Sequence, residues 1–253
     1  MSSISRQTKP NIPAAAYYRN RVQTKLRQRP DWDSEGRTLR EMHKTWLKKV
    51  LRGEWKPIKT GADTTFEACN ALFSPYLRQM KLGGDIVQAI TSIAPKARQL
   101  RVLDDGAGSG QILVKLASEL KKRGIKMHST ALSYEVPKLL KAKLQRGYIN
   151  KIESGLAEDY LPSQKYDVII SHLGSMHGTL YTEIFRKDHV LKFAYSLNKK
   201  GILMAAISIS LSPRKAASIE KTFKKRGFRA GCFCLQGIDF VSGPLAILLI
   251  QRL

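Results

Sequence analysis

The stretch Val102-Leu103-Asp104-Asp105-Gly106-Ala107-Gly108-Ser109-Gly110 constrains this chain more than any other. A short apolar run ends in two acids and then in three glycines spaced two apart, and a helix-forming run, Gln111 to Leu120, follows without a gap. Glycines at that spacing let the backbone turn sharply and approach a ligand closely. The first N–H groups of the following helix lack intrahelical acceptors and favour a negatively charged group. The stretch therefore reads as a nucleotide-binding turn between a buried strand and a helix.

The chain downstream keeps alternating strand and helix, which predicts a parallel sheet covered on both faces. Strands are expected at Arg101 to Asp104, Ser129 to Val136 with Glu135 near its end, Ile149 to Ser154, Tyr166 to Ser171 and Ile202 to Ile209. Helices are expected at Lys138 to Arg146, Tyr181 to Leu197 and from Ser212 or Pro213 to Gly227, with a Lys199-Lys200-Gly201 turn before the fifth strand. Two last strands, Arg229 to Leu235 and Leu245 to Gln251, are joined through Gly237, Asp239 and Gly243-Pro244 as a hairpin. Upstream, Thr64 to Met80 reads as a helix broken at Pro75, and Asp85 to Ile93 as a short helix ended by Pro95.

Charge bounds the partners. Among 253 residues, 44 Lys+Arg face 20 Asp+Glu, a formal net charge of +24. Self-repulsion on that scale is costly unless a polyanion is a frequent partner, so structured RNA or a ribosomal particle is expected. Residues 1 to 30 contain no acid, and a helix from Ser34 to about Arg52 would carry a basic face. Arg19, Arg21, Lys25, Arg27, Arg37, Arg40, Lys44, Lys48 and Lys49 are the candidate phosphate contacts in this segment. The organisation expected is a basic arm and helical extension over 1–60 and a second domain over 61–253, with leading helices at 61–98 and an α/β core at 99–253. No apolar run reaches membrane-span length, and Cys69, Cys232 and Cys234 suit neither a disulfide framework nor a metal site. A cytoplasmic location is expected; the acid-free basic start keeps a mitochondrial one as the alternative.

From Gln99 to Leu253 the chain resembles the class I S-adenosylmethionine (SAM)-dependent methyltransferases. Val102 to Gly110 looks like that family's first motif, and Leu156-Ala157-Glu158-Asp159-Tyr160-Leu161-Pro162 like its third. Tyr166 to Gly178 looks like the fourth, and Ser196 to Ser208 the fifth, with Lys199-Lys200-Gly201 where Pro-Gly-Gly is common. The resemblance implies a seven-stranded, mostly parallel, doubly wound sheet with an antiparallel C-terminal hairpin. It implies SAM as cofactor, held by Asp104, Asp105, Gly106, Ala107, Gly108, Gly110 and Ser171. Glu135 would lie on the ribose hydroxyls and Glu158 or Asp159 on the adenine amino group. Asp105 stands where the family usually has an apolar residue.

The fourth motif carries neither Asn-Pro-Pro-Tyr nor Pro-Cys, which disfavours the usual adenine-amine and cytosine-carbon chemistries. His172 and His177 are the candidate general bases, since imidazole exchanges protons near neutral pH. No metal is demanded, because a sulfonium is already a good leaving group and placement supplies most of the acceleration. The function implied is methyl transfer to RNA, ribosomal or transfer RNA in particular. Two alternatives stand beside it. One is a methyltransferase-like RNA-binding or ribosome-assembly module without activity; the other is an aminopropyltransferase of the spermidine synthase type.

Overall fold

A computed structural model describes residues 3–5, 65–96, 98–133, 136–154, 164–172, 190–191, 193–208, 212–240 and 243–253. These residues fall in one compact unit of the chain. The order is β1 (Ser3–Ser5), α1 (Phe66–Gln79), α2 (Ile86–Ile93), β2 (Leu100–Asp105), α3 (Gln111–Lys121), β3 (Met127–Ser133) and α4 (Lys138–Gln145). Then come β4 (Lys151–Ser154), β5 (Tyr166–Ser171), β6 (Leu197–Ser208), α5 (Pro213–Lys224), β7 (Phe228–Phe240) and β8 (Gly243–Arg252).

The strands form one sheet in the order β1-β4-β3-β2-β5-β6-β8-β7. Strands β4, β3, β2, β5 and β6 run parallel, β8 is antiparallel to β6, and β7 is antiparallel to β8. The seven expected strands are all there, and Ser3–Ser5 adds an eighth by pairing in parallel along β4. Every residue of β5 is buried, and neighbouring residues serve opposite cores. Val102, Ile170 and Met204 pack with α1 to α4, whereas Leu103, Ile169 and Leu203 pack with α5 and Phe193. That two-sided burial is why the strands read as continuous apolar runs rather than alternating ones.

The order reverses direction between β2 and β5: from β2 the chain steps outward to β3 and β4, then returns to lay β5 on the other side of β2. The carboxyl ends of these two strands therefore frame the crevice in which open α/β sheets receive ligands. The opposite, amino edge is clamped by Asp167. Its carboxylate accepts from Arg98 Nη1 and Nη2 at 2.7 and 2.6 Å, from the Arg101 N–H at 2.8 Å and from Asn198 Nδ2 at 2.7 Å. One side chain thus ties the starts of β2, β5 and β6 together. Burial alone would push the Asp167 carboxyl up, but these donors and the Arg98 charge outweigh it and hold it below its usual range.

Four expectations need correction. Pro75 does not break its helix: α1 runs unbroken from Phe66 to Gln79 with Pro75 on its exposed side. An interior proline costs about 3 kcal/mol, whereas Phe73 and Leu77, both fully buried beside it, each return about 1.5–3 kcal/mol. Strand β3 ends at Ser133, before Glu135, which lies outside the described residues. Lys199-Lys200-Gly201 is not a separate turn but an irregularity inside β6, where the register shifts between Tyr166↔Leu197 and Val168↔Ile202. Lys200 there adopts φ 65°, and a Cβ on Gly201 would lie 2.9–3.1 Å from the carbonyl oxygens of Asn198, Asp167 and Tyr166. Last, β7 runs on through Gly237 and Asp239 to Phe240, so the hairpin connection is shorter than expected. The expected helices at 34–52 and 181–189 lie outside the described residues.

Candidate active site

The site begins with the turn after β2. Gly106, Gly108 and Gly110 all adopt positive φ, at 82°, 51° and 78°. Two successive amides, of Gly106 and Ala107, donate to the Leu132 carbonyl at 3.0 and 3.1 Å, which fixes the turn against β3. Gly110 is required twice over, because its φ is left-handed and a Cβ there would sit 2.5 Å from Ile149 Cδ1 and 2.8 Å from Leu140 Cδ1. As the cap of α3, Gly110 offers no side-chain acceptor, and the first turn of α3 holds no acid. Thr65, Asp85 and Ser212 cap α1, α2 and α5 through their side chains, whereas α4, which starts after Pro137, lacks a side-chain cap as α3 does. Such caps are worth about 1 kcal/mol, so α3 forgoes one at the mouth of the crevice.

The two acids at the end of β2 face opposite ways along the strand. Asp105 accepts a hydrogen bond from Ser171 Oγ at 2.7 Å, which joins the carboxyl ends of β2 and β5 at the point where the strand order reverses. Asp104 is 1% exposed, and neither of its carboxylate oxygens has a hydrogen-bond partner among the described residues. Burial first, and then the neighbouring Asp105 charge, push the Asp104 carboxyl up to about 8. Burial, followed by the charge of Asp104, likewise pushes the Cys69 thiol of α1 well up. A cation arriving beside Asp104 would be met by a buried carboxyl that has no hydrogen-bond partner among the described residues.

His172 follows Ser171 directly. It is buried and sets its ring edge-on to Phe73 of α1, with centroids 6.2 Å apart. The structure thus brings Asp104, Asp105, Gly106, Ala107, Gly108, Gly110, Ser171 and His172 to one end of the sheet. Glu135, Glu158, Asp159 and His177 lie outside the described residues, as do the nine arginines and lysines of the expected arm. Sequence reasoning missed the Asp105–Ser171 bond, the Leu132 carbonyl and the α1 residues Cys69 and Phe73 beside the acids. None had a local signal, since each depends on which strands become neighbours. Among the described residues no group of three or more His, Cys, Asp or Glu is arranged to hold a metal ion. Nor is any of their helices long and apolar enough to cross a membrane.

Comparison with known proteins agrees with this geometry. The family model for the methyltransferase domain matches residues 96–239, more than half of the chain. No curated protein matches it by sequence. Among solved structures, it is similar to 1,6-didemethyltoxoflavin-N1-methyltransferase from Burkholderia thailandensis, with a TM-score of 0.51 at 10% identity, over 97% of this chain and 93% of that one. It is also similar to the CurJ carbon methyltransferase, with a TM-score of 0.46 at 19% identity over 92% and 70% of the two chains. A TehB-like SAM-dependent methyltransferase from Corynebacterium glutamicum gives 0.43 at 17% identity over 72% and 99%. With the family model spanning turn, crevice and most of the sheet, the chain belongs to the class I SAM-dependent methyltransferases.

Proposed function

We propose that this methyltransferase acts on RNA and that SAM lies across the carboxyl ends of β2 and β5. Four features of the chain suit that cofactor: a glycine turn with left-handed backbone, an uncapped helix start, a buried carboxyl without a partner among the described residues, and a serine-bound second acid. In this reading the turn from Gly106 to Gly110 and the first amides of α3 receive the carboxylate end of the cofactor. Asp104 meets its ammonium end, and Ser171 holds Asp105 on the other side of the strand. Glu135 takes the ribose hydroxyls and Glu158 or Asp159 the adenine amino group. The bound cofactor supplies a methyl group on a sulfonium. The residues around it contribute alignment of the acceptor and exclusion of water, and His172 or His177 takes the acceptor's proton.

The observation that carries the RNA reading is the +24 charge, together with the acid-free first 30 residues. Residues 1–60 would then supply affinity and orientation to the domain over 61–253. One observation favours a second reading, an RNA-binding module without activity: Asp105 stands where the resemblance has an apolar residue. Incubating the full chain with methyl-tritiated SAM and total cellular RNA, protein and small metabolites separates these readings. Label in RNA is expected. Label only in protein or metabolites would overturn the RNA acceptor, and RNA binding without any label would favour the inactive module. Gly108→Asp should abolish SAM binding by crowding and repelling the cofactor; retained binding would mean that the turn is not the site.

A further inference from the structure

The sheet has a second chemically distinctive edge, the amino edge, where the parallel strands begin. In sheet order it carries Lys151 at the start of β4, Lys126 just before β3, Arg101 in β2, Lys165 just before β5, and Lys199 and Lys200 in β6. The antiparallel pair continues the row. Arg252 ends β8 opposite Phe228, and Arg229 follows in β7. All seven strands from β2 to β8 thus contribute a cation at this edge. At about 4.8 Å per strand the row spans about 29 Å.

Helix chemistry does not account for it. Cations in a last helical turn complement the macrodipole, and Lys121 and Lys224 do so. Lys126, Lys165, Lys199, Lys200 and Arg229 belong to no helix end. Nearby acids neutralise little of the row: of its cations, Lys151 alone has an acidic partner among the described residues. Asp167 is taken by Arg98, Arg101 N–H and Asn198; Glu153 by Lys151; Glu119 by Lys122; and Glu220 by Lys224. Among the described residues Lys126, Lys199, Lys200 and Arg229 have no acidic partner. Lys165 and Arg252 both donate to the Tyr195 carbonyl, which sets two cations side by side. The effect reaches His128, directly opposite Arg101 in the register: burial first, and then Arg101 and Lys151, hold its imidazole below the usual range. A fold that lines like charges along one edge accepts self-repulsion there, which a polyanion would relieve.

We infer that the amino edge of the sheet is an RNA-docking surface, separate from the carboxyl-edge site. The inference rests on the RNA reading above and deepens it. The two edges are about 20 Å apart, the length of a six-residue strand. An RNA docked here is therefore anchored away from its methyl acceptor, and the substrate is a structured RNA large enough to span both edges rather than a short oligonucleotide.

The test is the binding of labelled bulk transfer RNA to the full chain by fluorescence anisotropy across a salt series, for the wild type and the Lys126→Gln, Lys199→Gln, Lys200→Gln, Arg229→Gln quadruple variant. Each lost phosphate contact lowers the slope of log affinity against log salt by about 0.7–0.9, so a decrease of about three is expected. The thermal midpoint and SAM affinity should stay at wild-type values. A slope within one of the wild type would overturn the docking surface. Label transfer from tritiated SAM, run in parallel, keeps the two readings apart. If the wild type labels RNA and the variant binds RNA equally well, docking alone fails. If the variant binds RNA less well and no RNA is ever labelled, the acceptor reading alone fails.

Discussion

Asp167 and Asp104 lie at opposite edges of one sheet, on neighbouring strands, and both are almost wholly buried. Asp167 accepts four hydrogen bonds and is held below the ordinary carboxylate range. Asp104 accepts none from the described residues and is pushed up to about 8. Burial works against ionisation at both positions, so the difference comes from the donors and the Arg98 charge at Asp167 and from the neighbouring Asp105 charge at Asp104. A satisfied buried carboxylate is a structural clamp. An unsatisfied one costs stability in the protein alone and is retained where something else supplies the partner.

The largest effect should come from removing the clamp. Asp167→Ala strips three groups of their acceptor at once and leaves Arg98 without a counter-charge. Because the Arg98 side chain is 39% exposed, solvent offsets part of that loss, and a cost of about 2–4 kcal/mol is expected. For a chain of this size that corresponds to a fall of about 5–12 °C in the midpoint of thermal unfolding. A fall under about 2 °C would erase the contrast between the edges.

Next is Gly110→Ala, which places a methyl group against Ile149 and Leu140 at a positive φ. A cost of about 1–3 kcal/mol is expected, together with weaker SAM binding. Unchanged unfolding would mean that the turn relaxes freely and is not fixed by its neighbours.

The most diagnostic effect is one of pH, because it runs in opposite senses at the two edges. The folded Asp104 carboxyl is raised from 3.8 to about 8, so the native state holds a proton that the unfolded chain releases. Its contribution to stability is whole below about pH 4 and is lost as pH rises towards 8. Asp104→Asn cannot titrate, so its midpoint relative to wild type should climb between pH 4 and pH 8, by about 10 °C if the whole shift is expressed in stability. Asp167, held low, contributes in the opposite sense: its stabilisation is present above the unfolded carboxylate value and is lost as pH falls through the folded one. A difference between Asp104→Asn and wild type that stays flat with pH would show that Asp104 finds a partner in the protein itself.

These edges were unequally legible in the sequence. The glycine turn and the apolar runs of β2 and β5 are local signals, and they located the carboxyl edge to within a residue or two. The Asp105–Ser171 and Asp167–Arg98 bonds join residues 66 and 69 positions apart. No local pattern encodes such pairs, because they exist only once β2 and β5 lie side by side. Pro75 misled for the complementary reason: its local helix-breaking tendency is outweighed by packing of the face that carries Phe73 and Leu77. Ser3–Ser5 is too short and too polar to announce a strand; it becomes one through pairing along β4. The row of amino-edge cations was visible only as bulk charge until the strand order aligned it.

The central claim is the proposal that Asp104, which has no partner among the described residues, meets SAM at the carboxyl edge. Calorimetric titration of SAM into wild type, Asp104→Asn and the amino-edge quadruple variant tests it most directly. One bound SAM per chain is expected for wild type, with affinity unchanged in the amino-edge variant and at least tenfold weaker in Asp104→Asn, a loss of about 1.4 kcal/mol or more. Equal affinity in wild type and Asp104→Asn, or no binding by the wild type, would contradict the claim.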